Sequence, residues 1–214
     1  MKPLLLFDLD GTLLDTLQDL TDSVNHTLLQ YNCPTHSRQA VCSFVGNGVK
    51  SLITNALPGK PDDPPVEDVL ADYLAYYALH NQDSTAPYAG ILEMLEQLRE
   101  YPMGIVSNKA DQDVKPLCNR FFPGIYAMGE IPGCPRKPAP DMMMRTMALL
   151  GYDKWIYIGD SEVDVKTAEN AGIPCISVTW GFRTRQQLLE AGATHLCEKP
   201  EDLPALVYEL EETV

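Results

Sequence analysis

The sequence predicts an α/β fold: a parallel sheet with helices on both faces, and a helical subdomain inserted after the first strand. Three observations predict it. From residue 103 onward, short apolar runs alternate with amphipathic stretches, the order of repeated strand–helix units. The first run, Leu4 to Phe7, is continuously apolar rather than alternating, as in a strand buried on both faces. Between Asp10 and the next core strand at Met103 lie about 90 residues of helical character, three times the roughly 30 of a strand–helix–strand unit. The resulting division is 1–14 and 86–214 for the sheet domain, and 15–85 for the helical insert.

The elements follow in order. Leu17, Leu20, Val24, Leu28 and Tyr31 recur at three- and four-residue steps and predict a helix over 17–31, ended by Pro34. Residues 37–57 read as a helical pair broken at Val45-Gly46-Asn47-Gly48, and the Pro-rich stretch 57–65 as a loop. Val66 to His80 is helical again, and 84–90 reads as a linker. In the sheet domain, strands are expected at 103–108, 124–130, 155–160, 175–180 and 193–197. Helices are expected near 111–120, at 139–150, at 162–171 ended by Gly172, at 184–191 ended by Gly192, and after Asp202 as a cap. The methionines at 142, 143, 144 and 147 read as core packing, since Met fills irregular gaps.

Composition narrows the function. With 214 residues and a formal net charge of -14, the chain is not suited to nucleic acid or to an anionic membrane. No apolar run approaches the length of a transmembrane helix, and MKPLLLFD does not read as an export signal, so a cytoplasmic location is expected. Six cysteines without C-x-x-C spacing read as reduced thiols, and the four scattered histidines as structural.

The chemistry gathers at strand ends. Asp8 and Asp10 follow the first strand; with a side-chain period of two they face the same way, and Gly11 permits an immediate turn. Two adjacent carboxylates repel unless a cation sits beside them. Ser107, Asn108 and Lys109 end the next strand, Lys137 precedes a helix, and Asp160 ends a later strand with Asp164 one turn beyond. In a doubly wound sheet the loops at the carboxyl ends of strands share one crevice, so Asp8, Asp10, Ser107, Lys137 and Asp160 are expected to converge there. Asp8, Asp160 and an oxygen of Asp10 form a hard-ligand set suited to Mg²⁺, while Ser107 and Lys137 are donors for phosphate oxygens. One carboxylate is left to attack phosphorus and another to move the proton.

Four segments carry a resemblance. FDLDGTLLDT, SNK, Lys137 in KPAPD, and GDSEVD occur in the order and on the elements of the haloacid dehalogenase superfamily of phosphohydrolases, which the chain resembles over its whole core. The resemblance implies a Rossmann-like core under a mobile helical cap. It implies Asp8 as nucleophile and metal ligand, and Asp10 as general acid/base binding Mg²⁺ through its backbone carbonyl. Ser107, with Asn108 adjacent, would bind the phosphoryl group, Lys137 would steady the phosphoaspartyl charge, Asp160 would complete the metal shell, and Asp164 would orient Lys137 or a metal-bound water. Lys109 is left open between a solvated lysine and a site residue. Having Asp10 favours phosphoryl transfer over dehalogenation. VGNGVKSLI, residues 45–53, is similar to the cap segment of phosphoglycolate phosphatases, which implies that Gly46, Asn47 and Gly48 meet the far end of a small phosphorylated metabolite. A sugar phosphomutase similar to β-phosphoglucomutase, a pyrophosphatase, or a binding or regulatory protein on an inactive core are the alternatives. Oligomeric state is not legible.

Overall fold

The structure, a computed structural model, describes residues 2–212. The chain forms two compact units, one of Met1–Leu14 with Pro87–Val214 and the other of Asp15–Ala86. Two short strands, β2 (Leu14–Asp15) and β3 (Ala86–Pro87), pair where the chain leaves the first unit and returns.

The first unit is built on a six-stranded parallel sheet. Its strands are β1 (Leu4–Phe7), β4 (Met103–Ala110), β5 (Tyr126–Glu130), β6 (Trp155–Gly159), β7 (Cys175–Val178) and β8 (His195–Cys197), in the spatial order β5-β4-β1-β6-β7-β8. The chain runs outward from β1 through β4 to β5, then returns to the other side of β1 for β6, β7 and β8. The reversal falls at β1, the position at which open α/β sheets form their crevice. All four β1 side chains are fully buried, and they alternate between two cores. Leu5 and Phe7 join Ile91, Ile105, Ile158 and Leu203 on one face; Leu4 and Leu6 join Val106, Met142 and Tyr157 on the other. This two-sided burial is why the run lacks polar alternation.

Among the described residues six α-helices serve this unit: α5 (Ile91–Gln97), α6 (Asp111–Phe121), α7 (Asp141–Leu150), α8 (Glu162–Ala171), α9 (Arg185–Glu190) and α10 (Leu203–Glu211). Gly151 and Gly172, both at positive φ, stop α7 and α8. Helix α9 starts with a capping box between Thr184 and Gln187. Three sequence expectations change. Helix α5 was not anticipated, because its ILEMLEQ follows directly on a stretch that reads as linker. Asp202 closes a 3-10 turn, Pro200–Asp202, and its side chain makes no capping bond to α10. Of the methionine stripe, Met142 and Met143 are buried but Met144 is half exposed.

The second unit is helical: α1 (Leu17–Gln30), α2 (Arg38–Phe44), α3 (Val49–Ala56) and α4 (Val66–His80). Helix α1 packs on α4, and Val24 and Leu28 of the first and Val69, Tyr73 and Tyr77 of the second are buried. Its buried Asp19 accepts from the amides of Ser84 and Thr85, at 2.8 and 2.9 Å, and from the Thr85 hydroxyl at 2.7 Å. The carboxylate thus ties the end of the unit to its beginning. Residues 45–48 separate α2 from α3, with Gly46 and Gly48 at φ of 125° and 80°. Among the described residues no helix is long and apolar enough to cross a membrane.

One irregularity in the sheet positions the site. Val106 pairs with Met128 and Ala110 with Glu130, so β4 uses four residues where β5 uses two. Ser107, Asn108 and Lys109 therefore leave the ladder as a bulge, a device that re-aims side chains. Gly129 makes room for it: a Cβ there would lie 2.6 Å from the Lys109 carbonyl oxygen and 2.6 Å from the Asp111 Cα. Both obstacles are backbone and cannot swing aside. Gly129→Ala is expected to destabilise the protein by roughly 1–3 kcal/mol, the usual cost of overpacking, measured by urea denaturation; an unchanged midpoint would show that the bulge tolerates the methyl.

Candidate active site

Asp8 follows the last residue of β1, and its amide still donates to the Ile158 carbonyl on β6, 2.8 Å away. The chain then turns sharply. The amides of Thr12, Leu13 and Leu14 all point at the Leu9 carbonyl, at 3.3, 3.0 and 3.0 Å. Gly11 sits in this turn at φ 85°, and a Cβ there would be 2.4 Å from an Asp160 carboxylate oxygen. Only glycine meets both conditions.

Lys137 is the centre of the site. Its ammonium is almost fully buried and reaches three oxygens: Asp8 Oδ1 at 2.9 Å, Asp164 Oδ1 at 2.7 Å and the Tyr157 hydroxyl at 2.9 Å. An ammonium has three donors, so all are used. Its backbone is held as well. The Asn108 carboxamide accepts from the Lys137 amide at 2.8 Å and donates to the Lys137 carbonyl at 3.0 Å. Asn108, expected beside the phosphoryl group, thus uses its side chain to hold the lysine loop.

Asp164 accepts from Lys137 and Tyr157 on Oδ1, and from the Ser161 amide and hydroxyl on Oδ2 at 3.1 and 2.6 Å. A carboxylate offers about four lone-pair positions, and these four bonds occupy them. Asp164 is therefore a support for Lys137 as well as the capping-box residue of α8. Asp160 accepts from the Thr12 hydroxyl on Oδ1 at 3.0 Å and from the Phe182 amide on Oδ2 at 2.7 Å, keeping half its capacity. On Asp8, Oδ1 takes both the Leu9 amide, at 2.7 Å, and Lys137. Oδ2 has no hydrogen-bond partner among the described residues.

The electrostatics follow from crowding. Asp8, Asp160 and Asp164 each place an oxygen within 4.8 Å of the others. Burial pushes the Asp8 carboxyl up to about 7, against the pull of Lys137 and helped by repulsion from Asp164. Burial, with repulsion from Asp164 and Asp8, raises Asp160 well above the carboxylate range. For Asp164 burial also acts upward, but Lys137, Ser161 and Tyr157 together hold it below its ordinary value. Burial would lower the Lys137 ammonium, yet Asp164 and Asp8 more than offset it, so it stays protonated. A divalent cation fits this donor set. Asp8 and Asp160 have oxygens to spare and a charge that burial alone leaves uncompensated, which is the chemistry of a hard-cation site.

Asp8, Lys137, Asp160 and Asp164 are thus brought together as expected. Ser107, buried in the bulge, stands one strand over from β1. Lys109 makes a buried ion pair with Asp10 at 3.0 Å, so it is not a solvated lysine. Gly46, Asn47 and Gly48 belong to the helical unit. Two participants were missed in the sequence: Tyr157, a fully buried tyrosine in WIYIGD, and Thr12 in DGT. An aromatic inside a strand reads as core, and only its hydroxyl contacts reveal otherwise.

Fold and site together define a hydrolase of the haloacid dehalogenase class. The model of the haloacid dehalogenase-like hydrolase family matches residues 5–178, and the chain belongs to that family. Among its relatives is a phosphoglycolate phosphatase of Pseudomonas putida, 33% identical over 193 residues, covering 84% of this chain and 70% of that protein. Among solved structures, a candidate phosphoglycolate phosphatase of Lactobacillus delbrueckii subsp. bulgaricus is 36% identical with a TM-score of 0.88, covering 97% of this chain and 99% of the other. One from Haemophilus somnus, 24% identical, shares the fold at a TM-score of 0.84, covering 96% and 97%.

The raised carboxyls set a pH dependence. Folded Asp8 and Asp160 hold protons that the unfolded chain releases near pH 4. Their contribution to stability is thus full below about pH 4 and is lost as pH rises through about 7 at Asp8. Metal-free protein is expected to melt at lower temperature at about pH 8 than at about pH 5.5, and Mg²⁺ to restore the midpoint at the higher pH. Asp8→Asn should flatten the profile. Thermal scans with chelator and with added Mg²⁺ check this; a midpoint at about pH 8 that ignores Mg²⁺ would contradict it.

Proposed function

We propose that the protein is a Mg²⁺-dependent phosphatase of small phosphomonoesters, 2-phosphoglycolate foremost, working through an aspartyl-phosphate. The observation that carries the reaction type is the asymmetry of Asp8. One oxygen is tied to Lys137 and the Leu9 amide, while the other is left to react. The names of the relatives in Pseudomonas putida and Lactobacillus delbrueckii support the substrate.

In this reading Asp8 Oδ2 attacks phosphorus as the ester P–O bond breaks, and its electron pair leaves with the alkoxide. Asp10 gives that oxygen its proton. Asp10 then takes a proton from water, whose oxygen attacks phosphorus and releases Asp8 and inorganic phosphate. Lys137 stays protonated and offsets charge at Asp8 throughout, and the Ser107 hydroxyl is a donor for a phosphoryl oxygen. Mg²⁺ would be held by Asp8, Asp160 and the Asp10 backbone carbonyl, and would supply positive charge to the phosphoryl oxygens. The partner is a small phosphorylated metabolite met in the cytoplasm, with no role for nucleic acid or membrane.

Asp8→Asn removes the nucleophile, and neither turnover nor phosphoenzyme is expected. Asp10→Asn is expected to slow phosphoryl transfer from alkyl phosphates by about 10²–10⁴-fold, the usual contribution of a general acid, and from aryl phosphates much less. Asp160→Ala should raise the Mg²⁺ concentration needed for half-maximal rate. Single-turnover phosphate release and Mg²⁺ titration measure all three. Equal loss for alkyl and aryl esters in Asp10→Asn would dismiss the acid role, and full activity of metal-stripped enzyme would dismiss Mg²⁺.

Substrate choice is assigned to residues 45–48. Gly46 and Gly48, at φ of 125° and 80°, keep this turn free of side chains that would hinder the approach of an anion, and Asn47 can add a side-chain donor. A charge-assisted hydrogen bond contributes about 1.5–3 kcal/mol. Asn47→Ala is therefore expected to lower kcat/KM for 2-phosphoglycolate by roughly ten- to a hundredfold, with a bulky aryl phosphate little affected. Equal change in both substrates would reduce VGNG to a turn.

A further inference from the structure

We propose that Lys109 is the positioning residue for Asp10: it holds the carboxylate by one oxygen so that the other is presented for proton transfer. The proposal rests on the reading of Asp10 as general acid. Three observations carry it. Lys109 Nζ lies 3.0 Å from Asp10 Oδ2, with the lysine side chain 7% exposed and the aspartate 14%. Asp10 Oδ1 is buried and accepts no hydrogen bond among the described residues. Finally, Lys109 reaches this place only because residues 107–109 leave the β4 ladder as a bulge seated on Gly129.

The arrangement is informative because it is incomplete. A buried carboxylate with a structural role has both oxygens satisfied, as Asp19 does. Asp10 instead has one oxygen fixed by a charge-assisted contact and one without a partner. Its position in the turn adds no second tether, since the amides of residues 12–14 are taken by the Leu9 carbonyl. The ion pair is thus what selects the side-chain orientation. The Lys109 ammonium, itself buried, has a second acid within electrostatic reach: burial raises the carboxyl of Asp113, in the first turn of α6, and Lys109 offsets part of that rise. The same bulge gives Asn108 to Lys137 and Lys109 to Asp10. One irregular segment therefore sets both the positive group beside Asp8 and the proton carrier.

The test is a double-mutant cycle on the full chain with Mg²⁺ present. Lys109→Met, Asp10→Asn and the double variant are compared by single-turnover release of alcohol from 2-phosphoglycolate and from p-nitrophenyl phosphate. A misplaced acid loses part of the roughly 10²–10⁴-fold of general acid catalysis. Lys109→Met should therefore slow the alkyl ester by about tenfold or more and the aryl ester only slightly. In the Asp10→Asn background Lys109→Met should change little, because its effect runs through Asp10. The Mg²⁺ dependence should not move. Lys109→Arg, which keeps the charge but not the point contact, should fall between wild type and Lys109→Met. The proposal is overturned if Lys109→Met slows both esters equally, or slows the Asp10→Asn enzyme as much as the wild type. If Asp10→Asn itself shows no preference between esters, the acid assignment fails first and this proposal with it. Should Lys109→Met lose its cooperative thermal transition, Lys109→Arg carries the same comparison, and an equal loss for both esters overturns the proposal there too.

Discussion

Three buried carboxylates around a single ammonium are the constraint on which the site depends. Asp8, Asp160 and Asp164 stand within 4.8 Å of one another, and Lys137 is the cation that touches two of them. Removing charges from water is costly, and like charges at this range repel. The protein answers unevenly. Asp164 receives Lys137, Tyr157 and Ser161 and stays ionised; Asp8 and Asp160 receive less and are pushed toward protonation. The uneven answer divides the acids by task, since the group fully satisfied by protein cannot take a ligand and the two left short can.

The rest of the first unit delivers these groups to one place. The chain reverses at β1, so β4 and β6 flank it and their carboxyl ends open beside Asp8. From β6 come Asp160 and, through the start of α8, Asp164; from β4 come Ser107, Asn108 and Lys109. Burial of β1 on both faces fixes its register, because a one-residue slip would exchange Leu5 and Phe7 with Leu4 and Leu6 across the sheet and turn Asp8 away.

Much of this was legible in the residues. Asp8, Lys137, Asp160 and Asp164 could be read because acids and a lysine interrupt apolar strands where the chain must turn. The alternation of strand and helix gave the sheet for the same reason. What escaped depends on geometry that no periodicity encodes. Tyr157 reads as a core aromatic until its hydroxyl is seen 2.9 Å from both Lys137 and Asp164. The bulge at 107–109 is invisible because both flanking segments read as ordinary strand, and only the paired register reveals it. The family resemblance sets Asn108 beside the phosphoryl group, but it could not show that the carboxamide is bonded to the Lys137 backbone. Helix α5 was hidden by the Pro- and Gly-containing stretch before it.

The glycines explain how such a charged site keeps its shape. A Cβ on Gly11 would meet Asp160 at 2.4 Å, one on Gly181 would meet it at 2.4 Å, and one on Gly159 would meet Asp164 at 2.4 Å. Backbone therefore walls these carboxylates at distances no other residue allows. Side chains packed against backbone have little freedom to turn away from one another, even though repulsion favours it. Electrostatic preorganisation requires that dipoles and charges be in place before the reaction begins. Here the carboxylates are seated by the absence of side chains around them, and their mutual repulsion is retained as a standing preference for positive charge.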